Sequence, residues 1–156
     1  MITENTVYHT FSPEETEAVG KALARRLADN AGVLPPFIAL YGDLGVGKTA
    51  FVRGFASVLS PGSCVRSPTF SIVNEYRSGT CPVFHFDMYR VDSEDDLFSI
   101  GYDDYLTRGG VCLAEWSEKI PEAIPEEHIR VTIRKDNDAL PESREIRVEV
   151  IRKEEP

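Results

Sequence analysis

The sequence predicts a three-layer α/β fold whose mixed sheet has a parallel core and antiparallel additions, on three observations. A short apolar run at residues 37–41 leads directly into a glycine-rich loop and then an amphipathic segment. Two more short apolar runs, at residues 83–86 and 111–114, each end on an acid. The tail alternates apolar and polar residues at Ile129, Val131 and Ile133 and again at Ile146, Val148 and Val150. Runs of that length flanked by turn residues read as buried strands, and strict alternation reads as half-buried ones. Helices covering both faces of such a sheet complete three layers.

The elements follow in order. Ser12-Pro13-Glu14-Glu15 opens a helix, with Ser12 as cap, Pro13 in the first turn and Glu15 closing a capping box. Val19, Leu23 and Leu27 continue it at helical spacing, and Asn30-Ala31-Gly32 ends it. Residues 37–41 form the central strand. Residues 49–59 form a helix with Phe51, Val52, Phe55 and Leu59 inward. Residues 71–76 and 83–86 are strands around a Ser78-Gly79-Thr80 turn. Ser93 begins a short helix with Asp96 three residues on. Residues 111–114 are a buried strand, and two antiparallel strands meet over Asp136-Asn137-Asp138.

At 156 residues the chain suits a single domain over 1–156. A chain of this length buries roughly 70% of its unfolded surface, so neither disulfide nor metal is needed to hold it. No apolar run approaches the ~18 residues of a membrane span, and no basic-then-apolar leader opens the chain. The cysteines, Cys64, Cys81 and Cys112, are odd in number and match no zinc or redox spacing. A reducing, cytoplasmic location is expected.

The formal net charge is -9, which argues against independent nucleic-acid binding, because phosphate contacts need clustered Lys and Arg. The acid is concentrated between residues 87 and 104. Asp87, Asp92, Glu94, Asp95, Asp96, Asp103 and Asp104 stand there against Arg90 alone. Such a run is either a solvated face or a docking surface for a basic partner.

Gly42-Asp43-Leu44-Gly45-Val46-Gly47-Lys48-Thr49 fits the phosphate-loop pattern G-x-x-x-x-G-K-[ST] at every fixed position. Strand, loop and helix come in the order the pattern requires, which makes the predicted fold P-loop NTPase-like. Triphosphate oxygens need donors converging from one side. The backbone N–H groups of Leu44, Gly45, Val46, Gly47, Lys48, Thr49 and Ala50 are expected to form that nest, helped by the helix N-terminus. Lys48 is expected to be a mobile cation for the β- and γ-phosphates, and Thr49 to offer a hydroxyl to Mg²⁺. A carboxylate at a strand end beside the loop normally joins such a metal site. Asp87 and Glu115 both qualify, and spacing does not rank them. Ser67-Pro68-Thr69-Phe70 is either an ordinary turn or a loop that senses the γ-phosphate through Ser67 and Thr69. His85, inside an apolar strand, reads as a packed histidine rather than a catalyst. Trp116 reads as core or pocket wall.

Taken with Arg53-Gly54, Ser67-Pro68-Thr69-Phe70, His85-Phe86-Asp87-Met88-Tyr89-Arg90 and Glu115-Trp116 in this order, the loop resembles the TsaE (YjeE) family of tRNA threonylcarbamoyladenosine biosynthesis. The similarity runs from about residue 11 to about residue 150. The phosphate loop alone is widespread, whereas H-x-D-x-Y-R and E-W after S-P-T-[FY] are far more specific. The resemblance implies an ATPase, with ATP as substrate and Mg²⁺ as cofactor, that supports or resets a TsaD-type transferase and its TsaB-type companion, tRNA being met only through that complex. It implies that Thr49 and Glu115 ligate Mg²⁺, that Asp87 and Lys48 serve catalysis, and that Ser67 and Thr69 sense the nucleotide. It also suggests that Arg144, placed just before the last strand, reaches the base or ribose. A small-molecule kinase is disfavoured because no Arg-rich insertion of lid length is present. A GTP switch is disfavoured because the guanine-reading Asn-Lys-x-Asp motif is missing.

Overall fold

The computed structural model describes residues 1–30, 32–43, 45–66, 72–79 and 81–154. The order of elements is β1 (Ile2–Thr10), α1 (Pro13–Asp29), β2 (Phe37–Tyr41), α2 (Lys48–Leu59), β3 (Val73–Tyr76), β4 (Val83–Asp87), α3 (Glu94–Ser99), α4 (Tyr102–Thr107), β5 (Val111–Glu115), two 3₁₀ turns, β6 (His128–Asn137) and β7 (Leu140–Ile151). The strands form one seven-stranded sheet in the order β1-β7-β6-β2-β5-β4-β3. The inner pairs β4–β5, β5–β2 and β2–β6 are parallel. The outer pairs β3–β4, β6–β7 and β1–β7 are antiparallel. This is the mixed sheet expected, with β2 in the middle of the parallel core.

Period-two alternation sorts the strands' side chains into two layers. Ile38, Leu40, Val83, Val111 and Leu113 pack with Phe51, Phe55, Leu23 and Leu27 of α1 and α2 on one face. Phe37, Ala39, Phe84, Phe86, Cys112 and Ala114 pack with Leu97, Tyr102 and Tyr105 of α3 and α4 on the other. Each fully covered Phe of α2 contributes about 1.5–3 kcal/mol by leaving water, which ties that helix to the sheet.

Local signals act largely as expected. Ser12 Oγ accepts the Glu15 N–H at 3.1 Å. The return bond of the capping box goes one residue further out: Phe11 N–H, not that of Ser12, donates to Glu15 Oε1 at 3.3 Å. Two elements fall outside the sequence reading. β1 pairs along β7 at the sheet edge, and the six-residue α4 turns Tyr102 and Tyr105 inward. The β6–β7 hairpin is also longer than expected, running to Asn137 and from Leu140 with one register irregularity between Lys135 and Asn137.

All three cysteines are free: Cys64 is exposed, Cys81 half-buried and Cys112 buried. Burial pushes the Cys112 thiol up to about 12 and raises that of Cys81. Thiolate is the reactive form. A thiol reagent at pH 8 is therefore expected to label Cys64 in the native chain and Cys112 only after unfolding. Prompt native labelling of Cys112 would contradict the packing of β5.

Candidate functional site

The glycine-rich loop leaves the end of β2 and enters α2 at Lys48, as expected. Gly47, the residue before the helix, has φ +108°, a conformation that costs glycine little and other residues much. At Gly42 a Cβ would stand 2.7 Å from the Ile133 carbonyl oxygen and 2.8 Å from Val46 Cγ2. A side chain there would push the loop off the sheet. Val46 and Ala50 bury their side chains, so only their backbones can serve a ligand.

A cavity of about 500 Å³ opens over the N-terminus of α2, lined by Gly45, Gly47, Lys48, Thr49, Asp87, Tyr89, Glu115 and Trp116. Both expected carboxylates reach it for one reason. Asp87 and Glu115 are register partners at the C-terminal ends of the adjacent parallel strands β4 and β5. Alternation turns both toward the α1/α2 face, where α2 begins. Asp87 Oδ1 accepts the Tyr89 N–H at 2.9 Å. Burial raises the Asp87 carboxyl above its ordinary range, and Glu115 adds to this; the Tyr89 N–H, His85 and Lys48 oppose it.

Lys48 departs from the expected mobile cation. It is only 6% exposed. Its ammonium donates to the Gly42 carbonyl at 2.7 Å and lies 3.7 Å from the centroid of the Trp116 ring. Burial lowers its pKa, while Glu115, Glu118, Asp87 and Asp43 pull it back up. Trp116 is thus a pocket wall. It holds φ +57°, costly for a large side chain, and its ring lies 5.0 Å from that of Tyr89, tilted by 51°. Tyr89 is the wall residue that the charge and strand patterns did not single out.

Arg144 requires correction. It lies within β7 rather than before it, because the hairpin strands continue past the expected turn. Its Nε donates to the Val46 carbonyl at 2.7 Å, and Nη1 donates to the carbonyls of Pro141 and Ser143. The guanidinium therefore braces the loop from outside. A second cavity of about 470 Å³ adjoins that side, lined by Gly42, Asp43, Val46, Thr132, Ile133, Arg134 and Lys135. None of residues 132–135 stood out in the sequence as a ligand-binding group, although the adjacent bases Arg134 and Lys135 were the available signal. Leu44, Ser67 and Thr69 lie outside the described residues.

His85 is fully buried on β4. Its Nδ1 is 2.9 Å from the Tyr76 hydroxyl and its Nε2 is 2.5 Å from Glu115 Oε2. It is packed, as expected, and it also touches a candidate metal ligand.

The donor set fits a hard cation that keeps most of its water. Among the described residues no three His, Cys, Asp or Glu side chains converge as a complete cage. Mg²⁺ beside a phosphate needs less: one hydroxyl and one or two carboxylates, the rest being phosphate oxygen and water. The Thr49 hydroxyl and the Glu115 carboxylate, on the same cavity, supply that minimum.

The family model described as "Threonylcarbamoyl adenosine biosynthesis protein TsaE" matches residues 10–146. The chain belongs to the TsaE family. It is 41% identical over 131 residues to the tRNA threonylcarbamoyladenosine biosynthesis protein TsaE of Bacillus subtilis, covering 84% of this chain and 78% of that one. The Haemophilus influenzae protein of the same name is 39% identical over 102 residues, 65% of each chain. The crystal structure of Bacillus subtilis YdiB superposes with a TM-score of 0.77 at 35% identity, covering 97% of this chain and 88% of that one. The P-loop NTPase-like architecture is thus that of a solved relative. No helix among the described residues is long and apolar enough to cross a membrane.

Proposed function

We propose that this chain is an Mg²⁺-dependent ATPase that supports or resets a TsaD-type threonylcarbamoyl transferase and its TsaB-type companion during modification of adenosine 37 in tRNA. The observation that carries this reading is the convergence of Lys48, Thr49, Asp87 and Glu115 on one cavity at the N-terminus of α2. Membership in the TsaE family supplies the pathway.

In this reading the backbone N–H groups of the loop and of the first turn of α2 hold the phosphates. Lys48 leaves the Gly42 carbonyl and the Trp116 ring and turns its ammonium toward the β- and γ-oxygens. Thr49 and Glu115 hold Mg²⁺, which supplies charge neutralisation at the phosphate oxygens when bound. Asp87, with its carboxyl raised by burial, orients the attacking water. Tyr89 and Trp116 keep bulk water from the reacting end. The base and ribose take the second cavity, across the loop, beside Arg134 and Lys135. Hydrolysis is coupled in this reading to the transferase complex, outside the chain. The run from Asp87 to Asp104 begins at a site acid and continues over α3 and α4, with Asp95, Asp103 and Asp104 exposed. A partner gripping that run is coupled to Asp87, and coupling in binding free energy is reciprocal.

The test mixes the chain with the transferase subunits and measures ATP turnover, partner affinity with ATP and with ADP, and threonylcarbamoyl transfer over many cycles. Asp87→Asn is expected to cut turnover about 10²-fold, the scale of a lost general base, with nucleotide affinity nearly unchanged. Glu115→Gln is expected to lower turnover and raise the Mg²⁺ requirement. Reversing charge at Asp95 and Asp96 is expected to weaken the complex and spare nucleotide binding. Partner affinity that ignores the nucleotide, with transfer undiminished by loss of Lys48, would sink the reading.

A further inference from the structure

We propose that His85, braced by Tyr76, is a positioning residue that aims the Glu115 carboxylate at the metal. The proposal rests on the reading of Glu115 as a Mg²⁺ ligand. His85, Asp87 and Glu115 share the α1/α2 face of the sheet because β4 and β5 are parallel and in register, with Asp87 opposite Glu115. Tyr76 joins them from β3, where it pairs with Val83. His85 is 0% and Glu115 4% exposed, so the bond between them is shielded from water. An ionised carboxylate only accepts, so His85 Nε2–H donates to Glu115 Oε2. Nδ1 pairs with the Tyr76 hydroxyl at 2.9 Å, and that hydroxyl also lies 3.3 Å from the Arg66 carbonyl oxygen. Tyr76 is 6% exposed and its ring lies 5.9 Å from that of His85, which fixes the tilt of the imidazole.

Two features separate this from ordinary packing. A position enclosed this fully would be filled at lower cost by an apolar residue, because each buried polar atom must find a partner. Both ring nitrogens are matched, and the partner at the inner end is the acid that lines the cavity. One carboxylate oxygen is held by the imidazole, leaving Oε1 for the ligand side. A ring–carboxylate bond behind a metal ligand fixes its orientation, and loss of such a partner typically costs about 10- to 100-fold in metal affinity.

The experiment titrates Mg²⁺ and reads the affinity of the intact chain for a non-hydrolysable β,γ-methylene ATP analogue, with and without metal, so that activity is not the readout. His85→Leu is expected to raise the Mg²⁺ concentration needed at least tenfold and leave metal-free analogue affinity unchanged. His85→Gln places a donor amide near the position of Nε2 and is expected to recover most of that loss. Tyr76→Phe keeps the ring and its packing and is expected to shift the requirement in the same direction by less. This variant carries the test if His85→Leu does not fold. Glu115→Gln is the reference. If it leaves the Mg²⁺ dependence unchanged, the metal-ligand reading itself falls. If it shifts the dependence while His85→Gln and Tyr76→Phe both match the unmodified chain and His85→Leu, when folded, does too, the positioning role is overturned.

Discussion

Replacing Lys48 with Met is expected to lower ATP turnover by about 10²–10³-fold, the loss seen when one preorganised donor is removed from a developing charge. The fold is expected to stand. Met matches the length of the covered lysine stem and keeps its contact with Trp116, which shortening to Ala would forfeit. Burial already lowers the Lys48 pKa, which means that the charged form is disfavoured where it rests. Removing the charge relieves that desolvation cost, which offsets the loss of the Gly42 and Trp116 contacts in the empty site, whereas with phosphate present nothing offsets the lost interaction. Turnover and analogue affinity are to be measured beside thermal unfolding. The expected Tm stays within about 3 °C, on the scale of 1 kcal/mol for a domain of this size. A folded Lys48→Met chain that hydrolyses ATP at the unmodified rate would remove the loop from the mechanism.

Gly54→Ala is expected to destabilise the chain by about 3 kcal/mol or more, the upper range for an overpacked core. That amounts to a fall in Tm of roughly 10 °C. A Cβ at Gly54 would stand 1.9 Å from the Glu17 carbonyl oxygen and 2.7 Å from its carbon. One at Gly20 would stand 2.2 Å from the Phe51 carbonyl oxygen. The two glycines let α1 and α2 touch backbone to backbone, and neither obstructing atom is the end of a flexible side chain. The direction opposes helix propensity, by which alanine in a helix gains about 0.5–1 kcal/mol over glycine. A neutral or stabilising result would mean that the helices are not packed this closely. A displaced α2 would also carry Lys48 and Thr49 off the cavity, so turnover is expected to fall with stability.

The parts of this protein legible in its sequence are those whose physics is local. The phosphate loop is contiguous, and its glycines, lysine and threonine are set by the backbone path between one strand and one helix. Ser12 and Pro13 start α1 by satisfying its own first turn. The runs at 83–86 and 111–114 read as strands because both faces of each are covered. β1 left no such trace. Most of its residues are exposed, so burial never sorted them, and only the ladder with β7 makes it a strand. α4 is too short for its period to show. The sequence put Arg144 before the last strand, because a hairpin's length depends on cross-strand bonds that no local signal records.

The site divides along the same line. Sequence alone determined that Lys48 and Thr49 stand together at a helix start and that Asp87 and Glu115 each end a strand. Tertiary structure alone decided that those strands are neighbours in parallel register, which brings both acids to one cavity. It decided that Lys48 rests on Trp116 and the Gly42 carbonyl, and that Arg144 binds the Val46 carbonyl. It joined Tyr76, His85 and Glu115 from three strands into one buried chain of hydrogen bonds. Covalent order fixes which groups leave a given turn together. Which groups meet across a sheet depends on strand order and register, and those follow from burying all the faces at once.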